Sequence, residues 1–155
     1  MKNRYFFAFP AALALLMLTF SHLGAQSLQV QSKDAINKTV ITMRTAVKAV
    51  NQETVYSEDL AKAFNHQAYA LELYKQGNYE RAIFHSRHAR FMAGRAIRSS
   101  GYRVEAGDLG TENFAVPGTA PTPKELEEEV HNNGLNKVTV LTTYTDKSLN
   151  DLTVQ

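Results

Sequence analysis

Between Asp59 and Arg98 the chain reads as two amphipathic helices closed by a tight turn at Gly77-Asn78. A helical hairpin must bury its apolar stripes against further helices, so this stretch restricts the fold more than any other. In its first arm, about Glu58 to Gln76, Leu60, Ala63, Phe64, Gln67, Ala70, Leu71 and Tyr74 recur at steps of three and four. That spacing forms one stripe of a 3.6-residue helix. Ser57 is positioned to cap it, Glu58 and Asp59 complement its positive end, and Gly77 suits a left-handed stop.

The second arm runs from about Tyr79 to Ser99. Tyr79, Ala82, Ile83, Ser86, Ala89, Ala93, Ala96 and Ile97 share a face lined mostly by small side chains, which lets a neighbour approach closely. Phe84 and Phe91 stand seven apart on the opposite face. Burying one phenyl ring is worth roughly 1.5–3 kcal/mol. The expectation is therefore a helix covered on two sides, with Phe84 and Phe91 against another helix or another chain.

The run from Tyr74 through Gly77-Asn78-Tyr79 to Ile83, followed by Ala89, resembles the turn and second helix of a tetratricopeptide repeat. The resemblance covers about one repeat. It implies that Ala82 and Ala89 pack on the first helix with Tyr79 wedged at the turn. It stops upstream, where His66 occupies the family's large aromatic position and Tyr69-Ala70 its leucine-glycine pair. It stops downstream too, where Gly94 replaces the closing proline. A solenoid needs about three stacked repeats and the chain shows one, so what is implied is a repeat-like hairpin and not a superhelix.

The first 25 residues have the build of a secretory leader. Lys2 and Arg4 precede an apolar run from Phe6 to Phe20, and Leu23-Gly24-Ala25 suits cleavage after Ala25. The run is shorter than the ~20 residues of a membrane span, so the reading is export to the periplasm or exterior with no span retained. Lys2 and Arg4 leave with the leader, and seventeen basic residues become fifteen against fifteen acidic. A near-neutral mature chain gives no electrostatic case for nucleic acid. The absence of cysteine excludes disulfides, thiolate zinc and iron–sulfur sites.

Residues 26–32 are polar and read as a flexible lead. Residues 33–101 form the helical core, opening with a helix to about Gln52 in which Ile36, Val40, Met43, Val47 and Val50 alternate at steps of four and three. Thr54-Val55-Tyr56 connects it to the hairpin. Residues 102–122 are a long loop rich in glycine and proline, with Leu109, Phe114 and Val116 as anchors. Residues 123–155 hold an acidic helix and a C-terminal segment. Thr122-Pro123-Lys124-Glu125 spells a capping box, with Leu126 and Val130 as the apolar side of the helix that follows. Leu135 to Tyr144 fits both strand and helix periods and is read as helix or irregular chain. The fold class predicted is all-α, a small antiparallel bundle built on the central hairpin.

No nucleophile elbow, phosphate loop or cofactor motif is present, and the chain is read as non-enzymatic without a cofactor. Three arrangements remain. Phe84 and Phe91 with Arg87 and Arg95 form a candidate surface for a protein partner. His85 and His88, three apart on one helix, with His66 on the neighbouring helix, are candidate metal ligands. Arg81 with His88 seven residues later is similar to the arginine–histidine signature of the helical-bundle ribonucleases called HEPN domains, although export argues against an intracellular nuclease. The arginines Arg81, Arg87, Arg90, Arg95, Arg98 and Arg103 spread around the outer faces, and the acidic residues 125–129 are their expected partners. The first function expected is an exported interaction or scaffold domain. The alternative is a small-ligand or metal-binding bundle using His66, His85 and His88.

Overall fold

The computed structural model describes residues 9–53, 57–105, 107–134 and 146–155, with side chains from residue 27 onward apart from 52, 53, 146 and 147. The protein is all-α. Among the described residues the elements are α1 (Phe9–Glu53), α2 (Glu58–Lys75), α3 (Tyr79–Ser99), α4 (Pro123–Asn132) and α5 (Asp146–Asn150), with no strand. The connection at Thr54–Tyr56 and the segment Leu135–Tyr144 lie outside the described residues.

Helix α3 lies between α1 and α2 and packs along both. The alternating stripe of α1 is buried in full, from Ile36 through Val40, Met43 and Val47 to Val50. The small face of α3 is buried with it, Ala82, Ala89, Ala93 and Ala96 having no exposed surface. Alanines allow the close helix contact that larger side chains would prevent.

One expectation fails at the start of α1. The stretch 26–32, read as a flexible lead, is helical and continuous with the rest of α1. It contains no glycine or proline, and its leucine and glutamines are good helix formers, so polarity alone gave no reason to stop. Among the described residues no helix is long and apolar enough to cross a membrane.

The hairpin ends are built as their residues dictate. The Ser57 hydroxyl accepts from Leu60 N at 3.2 Å. At the turn, Gly77 adopts φ 80°. Asn78 N donates to Leu73 O at 2.9 Å and Gly77 N to Tyr74 O at 3.0 Å, which satisfies carbonyls that the helix end leaves open.

Three polar side chains meet inside the bundle. Thr39 of α1 donates to the Ser86 carbonyl at 3.1 Å. Gln67 of α2 donates to the Ile36 carbonyl at 2.9 Å. The Ser86 hydroxyl of α3 lies 3.1 Å from the Ala35 carbonyl and 3.1 Å from Gln67 Oε1.

The loop after α3 is fastened to the bundle by its backbone. Gly110 N donates to the Thr42 hydroxyl at 3.0 Å and the Thr45 hydroxyl donates to Asp108 O at 2.8 Å. At Gly110 a β-carbon would stand 1.9 Å from the Lys38 carbonyl oxygen, so only glycine fits this approach. The loop delivers the chain to α4, which opens with the predicted capping box of Thr122 and Glu125 and ends before Gly134 at φ 67°. Helix α4 buries only Leu126 and Val130.

Candidate metal centre

The three histidines singled out by spacing converge. His66 and His85 are fully buried and His88 nearly so. On α2, His66 follows Ala63 by three and precedes Ala70 by four, which places it beside the apolar stripe. His85 holds the same relation to Ala82 and Ala89 on α3. Their rings pack with centroids 5.3 Å apart, and His66 meets His88 edge-on at 4.5 Å.

Helix α4 brings carboxylates to this cluster. Glu127 precedes Val130 by three and Glu129 follows Leu126 by three, so the two acids flank the buried stripe. Glu127 Oε1 lies 3.6 Å from His66 Nε2 and 3.6 Å from His88 Nε2. Both nitrogens are buried and have no hydrogen-bond partner. At 3.6 Å neither makes a hydrogen bond to Glu127.

On the other flank, Glu129 is gripped by Arg81 through both carboxylate oxygens, the Nε contact being 3.0 Å. The same carboxylate lies 3.0 Å from His85 Nε2, and His85 Nδ1 lies 3.0 Å from His66 Nδ1. The Tyr69 ring stands edge-on to His85 at 4.7 Å, and its hydroxyl accepts from Asn133 at the end of α4.

Burial makes all three rings poor bases. His66 is lowered to about 3, first by desolvation and then by the neighbouring His88 and His85. His85 is lowered by desolvation against the hydrogen bond to Glu129, and His88 by desolvation against Glu127. The Arg81 hydrogen bond holds Glu129 below the usual carboxylate range. A neutral imidazole is the protonation state that binds metals.

The residues fit a metal. One ligand atom from each of His66, His88 and Glu127 lies within 4.8 Å of the other two. Zinc ligands at about 2.0–2.2 Å from a tetrahedral ion stand roughly 3.3–3.6 Å apart, so an inward shift of the three would seat an ion with its fourth position open. The Glu127 side chain is 35% exposed, which leaves a way in beside α4. His85, expected as a ligand, stands outside this group of three. Both of its ring nitrogens are engaged, one by Glu129 and one by His66.

The candidate interaction surface divides. Phe84 is buried and belongs to the core, whereas Phe91 is 55% exposed. Periodicity puts both rings on one stripe but does not say how far along it the cover extends. Arg87 is committed to Glu112 and the Phe114 carbonyl, and stacks over the Phe114 ring. Arg90 also pairs with Glu112. Arg95 pairs with Asp59 across the hairpin at 3.2 Å. Of the expected pairing between the α3 arginines and α4, Arg81 with Glu129 is realised. Phe91, Arg98, Leu109 and Gly94 border a cavity of about 300 Å³ between α3 and the loop.

Sequence reasoning missed Glu127 beside His66 and His88, and the contact of Glu129 with His85. The signal present was the acidic helix with its capping box. Its charges were assigned to arginines, and nothing in the sequence stated that one of them faces histidines.

The class these features define is an all-α bundle with a buried histidine–carboxylate cluster. No known family, curated protein or solved structure matches the chain. The function is therefore argued from the cluster itself.

Proposed function

We propose that this protein is a metal-binding helical bundle that holds one zinc-type divalent ion on His66, His88 and Glu127. The observation that carries the reading is a pair of buried, partnerless imidazole nitrogens, each 3.6 Å from the same carboxylate oxygen. Buried polar atoms are normally hydrogen-bonded, and two orphans facing one anion leave room for a cation. Two imidazoles with a carboxylate suit zinc, iron(II) or manganese better than magnesium or calcium, which prefer all-oxygen shells. The leader read in residues 1–25 would place the ion outside the cytosol.

The test is metal content after loading and desalting. Wild-type protein should retain about one equivalent of zinc, and His88→Gln and Glu127→Gln should each lose it with unchanged helix content. A folded wild-type protein that retains no stoichiometric metal would sink the reading.

A second reading rests on a separate observation. Phe91 and Leu109, 55% and 43% exposed, border one cavity, and such a patch suits a protein partner. The exported interaction domain would then use Phe91 without Phe84.

A further inference from the structure

The hydrogen-bond chain that ends at His66 starts at a permanent cation. Arg81 has only donors, and it gives two of them to Glu129. Held by a guanidinium, Glu129 is an ionised carboxylate and can only accept. His85 Nε2, 3.0 Å from Glu129 Oε2, must therefore carry a proton.

A neutral imidazole has one ring proton, so His85 Nδ1 is a bare acceptor. His66 Nδ1 stands 3.0 Å away and has to donate to it. The single proton of His66 is thus fixed on Nδ1, and its lone pair on Nε2 faces the Glu127 oxygen at 3.6 Å. A lone pair and a carboxylate oxygen repel unless a cation lies between them.

Resting on the metal reading above, we propose that Arg81, Glu129 and His85 are positioning residues that hold His66 in the Nδ1–H tautomer and so create one of the metal donors. None of the three touches the ion. The relay also orients the ring, because His66 is bonded on one edge and open on the other. Metal-ligating histidines commonly donate their second N–H to a neighbouring group. Here that group is another imidazole, and the carboxylate stands one ring further back.

Two measurements test the relay. In metal-free wild-type protein with nitrogen-labelled histidine, two-bond proton–nitrogen spectra assign each tautomer. His66 should carry its proton on Nδ1 and His85 on Nε2. A His66 proton found on Nε2 overturns the proposal. Zinc titration of Glu129→Gln should show affinity weakened about 10–100-fold, the range for loss of such an outer partner. A folded Glu129→Gln protein with wild-type zinc affinity overturns the positioning role. If the variant does not fold, the wild-type spectra decide alone. If the tautomers are as stated and wild-type protein takes no zinc, the proton order holds and the metal reading is what fails.

Discussion

An imidazole buried as deeply as His66 resists protonation in the folded protein far more than in the unfolded chain. Folded, it stays neutral down to about 3. Unfolded, it takes a proton near ~6.5. Between those values the unfolded state holds the extra proton, so stability rises with pH. The slope is about 1.4 kcal/mol per pH unit for each such ring. His85 and His88 are lowered in the same direction, and Glu129, lowered by Arg81, also loses its contribution in acid. In the presence of chelator, the unfolding midpoint should therefore be highest above about pH 6.5 and fall steadily below it. The His66→Leu variant should show a shallower slope between pH 4 and 6.5, as about one fewer proton is linked to unfolding. Equal slopes for the two proteins would mean that His66 is not held neutral by burial.

Helix α4 depends on its contacts more than its neighbours do. Ten residues form a marginal helix in water. The capping box starts it, and Leu126 and Val130 give it a small buried face. Two of the proposed ligands belong to the hairpin and the third to α4, so the ion would fasten one to the other. Zinc should accordingly slow amide exchange across residues 123–132 well beyond its effect on α1. Glu127→Gln should abolish that difference, and equal protection of α4 with zinc and with chelator would contradict the bridging role. This element also marks where sequence reading succeeds and stops. The Ser57 cap, the Gly77 stop and the Thr122–Glu125 box are local and could be read from a few consecutive residues. His66, His85 and His88 were found by spacing on adjacent helices. Glu127 joins them only because a long loop, seated at Gly110 on the Lys38 carbonyl, returns α4 to the hairpin. No periodicity reports such an approach. The stretch 26–32 was misread for the opposite reason, since polar composition was given more weight than the absence of any helix breaker.

At the scale of the whole molecule, Phe91 stacks on His88 with one side and leaves the rest of its ring exposed. If it meets a second copy of this chain, wild-type protein should sediment as a concentration-dependent dimer and Phe91→Asp as a monomer. A wild-type monomer at all concentrations would remove self-association, because Phe84 is already enclosed and cannot join the patch. The proposed metal centre adjoins this patch, since Phe91 stacks on His88 at 6.2 Å, although none of the proposed ligands lines the cavity itself. Its alignment comes from elsewhere. The alanines at 82, 89, 93 and 96 interlock less than larger side chains would, so polar contacts help to fix the height of α3 against its neighbours. Thr39, Gln67 and Ser86 act as a detent, because only one notch lets all three find their partners. Ser86 adjoins His85 in the chain, so the notch that seats its hydroxyl also sets the height at which the imidazoles meet.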